Sequence, residues 1–64
     1  MVHINGEDIA ADGMNLKEYL EQNDYNMQRI AVEINEQIVP KAVYADTVLN
    51  AEDRVEVVSF VGGG

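Results

Sequence analysis

The residues best suited to chemistry are the last three. Gly62-Gly63-Gly64 follow directly on a strand-like run, Val55-Glu56-Val57-Val58-Ser59-Phe60-Val61. Glycine has no Cβ and weakens any helix or strand that contains it, so three in succession predict a flexible tail. Extended, that tail reaches about 10 Å beyond the last strand residue, at roughly 3.3–3.6 Å per residue. Its end is expected to be an unhindered α-carboxylate, with no side chain to obstruct its passage into a narrow enzyme cleft. The pattern suits a protein whose own C-terminus is the reacting group. Chain ends also fray commonly, so the tail needs support from the rest of the chain.

Other centres of reactivity are scarce. The chain has no cysteine, which removes disulfides, thiolate metal sites and any cysteine nucleophile or persulfide. His3 is the one histidine; without clustered ligands or a nucleophile it makes neither a metal site nor a catalytic pair. The acid pairs Glu7-Asp8 and Glu52-Asp53 fall in expected turns, where solvated carboxylates do no acid–base work. The only glycine-rich segment is terminal, with no lysine and no helix after it, so it is not a phosphate-binding loop. No metal or cofactor of its own is expected.

Sixty-four residues make one small domain, which buries only about 60% of its unfolded surface. A deep substrate pocket does not fit, and an enzyme acting alone is not expected. Twelve acidic residues against four basic ones give a net charge of −8. Such a surface repels phosphate backbones and anionic lipid, and it favours a partner with a basic face. Nucleic acid and membrane are therefore poor partners. The N-terminus lacks the basic and long apolar regions of a signal peptide, and no run approaches the roughly 20 apolar residues of a membrane span. A soluble, cytoplasmic protein is expected.

The elements that must position the tail can be read in order. Asn5-Gly6 between Val2, Ile4 and Ile9 predicts a hairpin of strands Val2–Asn5 and Asp8–Ala11. Asn15-Leu16-Lys17-Glu18 resembles a capping box, and Leu16, Tyr19 and Leu20 share one helical face, predicting a helix over Leu16–Gln22. Ile30, Val32 and Ile34 alternate with Ala31, Glu33 and Asn35 as in a half-buried strand. Asn35-Glu36 turns the chain into Ile38-Val39, which Pro40 confines to a sheet edge. A helical turn over Lys41–Tyr44, a short strand over Thr47–Leu49 and a turn over Asn50–Asp53 precede the last strand. Tyr19 and Leu16 belong to the core, while Tyr25, Met27 and Tyr44 pack loops.

The expected fold is α+β: a mixed sheet packed on one main helix, the ubiquitin-like β-grasp, with the first and last strands parallel at the centre. Residues 1–61 form the domain and 62–64 the reactive tail. If Val55 and Val57 face the helix, Val58 and Phe60 point to the opposite face and form a patch for partner docking, unless loops or a bulge cover them.

The tail Val61-Gly62-Gly63-Gly64, the preceding Val55–Phe60 run, the stretch Ala31–Pro40 and the opening Ile4-Asn5-Gly6-Glu7 together resemble the ThiS family of thiamine-biosynthesis sulfur carriers. The resemblance covers essentially the whole chain. A terminal Gly-Gly alone is shared with ubiquitin-like modifiers and with MoaD, the small subunit of molybdopterin synthase; here Gly62 precedes that pair and changes reach rather than reactivity. The resemblance implies a carrier, not a catalyst. An E1-like adenylating enzyme of the ThiF type would use ATP to adenylate the Gly64 carboxylate, with Gly62 and Gly63 threading into its active site. A sulfur-relay protein would convert the adenylate to a thiocarboxylate, and a thiazole synthase of the ThiG type would accept the sulfur. The alternatives are a MoaD-like carrier for molybdopterin and a non-covalent ubiquitin-like interaction module.

Overall fold

The computed structural model describes residues 1–60. Strand β1 (Val2–Ile4) turns at Asn5-Gly6 into β2 (Glu7–Ile9). Both turn residues have left-handed backbone, φ 50° and 82°, the geometry that matches the twist of paired strands and that Asn and Gly tolerate. The hairpin strands are shorter than expected: Asn5 belongs to the turn, and Ala11 lies beyond β2 yet is buried in the core. Glu7, expected in a turn, belongs to β2, which starts one residue before the expected Asp8.

Helix α1 covers Leu16–Gln22, the expected bounds. Asn15 caps it, its side-chain oxygen accepting from the Glu18 amide at 3.2 Å. The return bond of a full capping box is not among the bonds of the described residues; the Asn15 side-chain NH2 instead donates to the Ala45 carbonyl at 2.5 Å. Asp24 ends the helix in left-handed geometry, φ 61°. The Asp24 and Tyr25 amides donate to the carbonyls of Glu21 and Leu20 at 3.2 and 3.0 Å, a Schellman closure that satisfies two carbonyls otherwise left open.

A 3-10 turn over Met27–Arg29 leads into β3 (Ile30–Ile34). Asn35-Glu36, at φ 52° and 68°, reverses the chain into β4 (Gln37–Val39), followed by a 3-10 turn over Lys41–Asp46. The expected strand over Thr47–Leu49 is reduced to one bridge, between Asn15 and Val48. The Leu16 and Leu49 amides, donating to Thr47 and Met14 carbonyls at 2.8 Å each, tie this segment to the start of α1 rather than to the sheet. Strand β5 (Arg54–Ser59) completes the domain.

The sheet order is β2-β1-β5-β3-β4, with β1 and β5 parallel and every other pair antiparallel. Pro40 follows β4 at the sheet edge, where its missing N–H costs no ladder bond. One face of the sheet meets α1. Val2, Ile4, Ile30, Val32, Val55 and Val57 from the strands close with Leu16, Tyr19 and Leu20 from the helix and with Tyr44 and Leu49 into one core. Tyr25 and Met27 pack against its margin. The architecture is the β-grasp, with the final strand at the centre of the sheet.

Candidate functional site

The site is built around the end of β5. This strand lies between β1 and β3, and its pairing with β3 runs from Val55 opposite Ile34 to Ser59 opposite Ile30. One residue further, the Phe60 amide donates to the Arg29 carbonyl at 2.6 Å. The chain is therefore held in the sheet as far as Phe60, four residues from Gly64. Gly62, Gly63 and Gly64 lie outside the described residues, as does Val61.

On the other flank β1 is too short to follow β5. Its ladder pairs His3 with Arg54 and Ile4 with Val55, and then the chain turns away at Asn5. The Asn5 side chain takes over the missing pairing. Its Oδ1 accepts from the Val57 amide at 2.8 Å and its Nδ2 donates to the Val57 carbonyl at 3.4 Å. On the opposite flank the Asn35 Oδ1 accepts from the Arg54 amide at 3.0 Å, and its Nδ2 donates to the Asp53 carboxylate at 3.0 Å. Two turn asparagines thus clamp the central strand that leads to the glycines. Sequence reasoning saw both only as turn residues; a side-chain bond across 52 residues leaves no local signal.

This clamp can be tested by substitution. Asn5→Ala orphans the Val57 amide and forces a Cβ-bearing residue without a side-chain acceptor into left-handed backbone. It is expected to cost about 2–4 kcal/mol, a large share of the roughly 3–10 kcal/mol available to a domain of this size. Asn5→Gly removes the side-chain bonds but keeps the backbone relaxed, and should cost about 1–2 kcal/mol. Urea denaturation of both variants checks the order; equal costs would show that backbone strain plays no part.

Val58 and Phe60 stand on the face away from the helix. Val57 is 8% exposed against 50% for Val58 and 53% for Phe60, as alternation along an extended chain requires. No described loop covers them and no bulge interrupts the β3–β5 register. Ala31 lies beside Val58 across the ladder, and Ile38 projects further along the same face, 75% exposed.

His3 also faces outward, but it is not alone. Its Nδ1 lies 2.5 Å from Asp8 Oδ1 and its Nε2 3.4 Å from Glu52 Oε1. The Asp8 hydrogen bond, and after it that of Glu52, raise the His3 pKa above its ordinary value of 6.5. Arg54, its neighbour on β5, carries a like charge, and Glu52 also meets the Met1 amino group at 3.4 Å. Because the folded pKa is raised, the protonated imidazolium stabilises the fold. That contribution is complete below about 6.5 and is lost as pH rises through the folded value. Asp8→Asn should move the His3 titration, followed by NMR, back down toward its ordinary value and reduce the loss of stability across this window. An unchanged titration would contradict the assignment. No group of three or more metal-binding side chains occurs among the described residues, and no helix among them is long and apolar enough to cross a membrane.

Among the described residues, the surroundings of the strand end offer open depressions and no enclosed pocket. What they do offer is a firmly held base for a terminal segment, beside an exposed apolar patch. The sulfur carrier protein ThiS of Thermus thermophilus is 38% identical over 64 residues, spanning 100% of each chain. The thiazole synthase of Magnetococcus marinus is 38% identical over 64 residues, which span 98% of this chain and 20% of that protein. The crystal structure of the thiamine biosynthesis protein ThiS from Geobacter metallireducens superposes with a TM-score of 0.77 at 25% identity, covering 98% of this chain and 97% of that one. The ThiS family itself matches residues 1–64. On this evidence the chain is a carrier rather than an enzyme, and it belongs to the ThiS family.

Proposed function

We propose that this chain is the sulfur carrier of thiazole formation in thiamine biosynthesis, with the Gly64 carboxylate as its covalent site. The match to the ThiS family over residues 1–64 carries this reading. The geometry supports it, because the central strand is held as far as Phe60 and only Val61 separates it from the glycines. A carboxylate is a poor acyl electrophile, so it must first gain a leaving group. In the active site of an E1-like partner the Gly64 carboxylate attacks the α-phosphorus of ATP, forming an acyl adenylate and releasing pyrophosphate. A persulfide sulfur from a relay protein then attacks the acyl carbon and expels AMP. Cleavage of the resulting S–S bond by a second thiol leaves the thiocarboxylate, whose sulfur passes to a thiazole synthase.

The division of labour follows from what this chain lacks. It contains no cysteine to hold sulfur on a side chain, and the partner supplies the ATP site. Glycines at 62 and 63 let the reacting end enter that site without steric conflict. Val58 and Phe60 give the partner an apolar surface at the root of the tail. The thiazole synthase relative, which includes a stretch similar to this chain, favours thiazole over molybdopterin as the destination of the sulfur. In this reading the chain works in the cytoplasm.

Carrier-dependent exchange of labelled pyrophosphate into ATP by the adenylating partner tests the first step. Exchange that requires this chain is expected. Stable binding without exchange would favour a non-covalent interaction module.

A further inference from the structure

The outer face of the sheet contains an arrangement that the fold alone does not favour. Glu33 on β3 and Glu56 on β5 stand directly opposite each other in the antiparallel register. Their neighbours Val32, Val55 and Val57 are buried on the helix side, so both carboxylates project to the outer face. Like charges directly opposite on adjacent strands destabilise a sheet. No ion pair at either glutamate occurs among the described residues. Arg54, on the same face, lines an open depression of ≈ 440 Å³ with Glu33, Asn35, Glu36 and Glu56, yet it pairs with neither acid.

Apolar residues border the acidic pair in the sheet register. Ile38 lies opposite Glu33 on its far side, and Ala31 and Val58 form the next pair toward the strand end, followed by Phe60. The acidic pair is thus continuous with the patch at the root of the tail. The occupant must be complementary in both respects. A second copy of this chain would bring another net charge of −8, and nucleic acid or anionic lipid would also be repelled. An enzyme that adenylates the tail must hold a polyanionic nucleotide close by, and so presents positive potential on the side the tail enters.

We infer that Glu33 and Glu56 form a cation-receiving notch that selects the adenylating partner, by taking one of its arginine or lysine side chains between them while Ile38, Val58 and Phe60 meet an adjoining apolar ridge. The inference rests on the carrier reading of the same surface. The like-charge strain carried by the free protein is relieved when the partner's cation arrives, so binding gains what the isolated fold gives up.

The test compares Glu33→Gln/Glu56→Gln with Glu18→Gln/Glu21→Gln, a pair on helix α1 that removes the same charge elsewhere. Dissociation constants for the purified adenylating enzyme are measured at low and high salt, alongside thermal midpoints. The notch variant should bind at least about 10-fold more weakly, with a shallower salt dependence, and should melt at a higher temperature than the parent. The helix variant should shift affinity by less than about 3-fold. Equal weakening by the two variants would reduce the effect to overall charge and overturn the inference, as would unchanged affinity in the notch variant. These affinities do not depend on turnover. A parent chain that binds but supports no pyrophosphate exchange would overturn the carrier reading, while the affinity comparison still decides the notch.

Discussion

Deletion of Gly64 should lower adenylation by the partner at least about 10³-fold while leaving the fold untouched. The argument is one of position. The truncated chain still ends in a glycine carboxylate of the same intrinsic reactivity, but its end falls short by roughly 3.3–3.6 Å. A misplacement of about 1 Å already costs on the order of 10²-fold when reacting groups must meet in one geometry. Among the described residues, the buried ones end at Val57 and the last backbone bond is made by Phe60. The thermal midpoint should therefore be unchanged. Deletion of Val61 makes the complementary case, because it keeps Gly62-Gly63-Gly64 and shortens only the reach. Comparable losses in both deletions would identify reach as the cause. Full activity in the Gly64 deletion would contradict the requirement for reach.

Phe60→Asp should have the next largest effect, raising the KM for this chain in adenylation by about 30-fold or more. A large aromatic residue near the centre of an interface commonly contributes about 2 kcal/mol or more to binding. A carboxylate there would also be buried without a partner. In the free protein Phe60 is 53% exposed and contributes its backbone, not its ring, to the sheet. Exposed substitutions of this kind change stability by about 0.5 kcal/mol or less, so the midpoint should move by only about 2–4 °C. Adenylation at the parent's KM would exclude the docking role of this patch.

Much of the fold was legible because local chemistry and global arrangement agree. Asn5-Gly6 and Asn35-Glu36 mark reversals that the structure makes with left-handed backbone at all four residues. Asn15 and the Leu16, Tyr19 and Leu20 stripe fix the start and buried face of the helix. The alternation Val55, Val57 against Val58, Phe60 foretold which side of β5 is buried. Thr47–Leu49 misled because its β-branched residues suit a strand, whereas its backbone partners turned out to be Met14 and Leu16 at the start of the helix.

The parts of the site that were not legible are long-range. The clamp of Asn5 on Val57 and that of Asn35 on Arg54 depend on which strands become neighbours. Glu33 and Glu56 read separately as solvated strand residues; only the register of β3 on β5 sets one against the other. The histidine looked isolated for the same reason. Its partners Asp8 and Glu52 come from a hairpin strand and from the loop before β5.

The most direct test of the carrier account is the intact mass of the chain after incubation with its adenylating enzyme, ATP and a persulfide sulfur donor. The account predicts the mass change for one oxygen replaced by sulfur, with fragmentation placing it on Gly64. An unchanged mass, with an enzyme and donor shown to be active on another carrier, would contradict it.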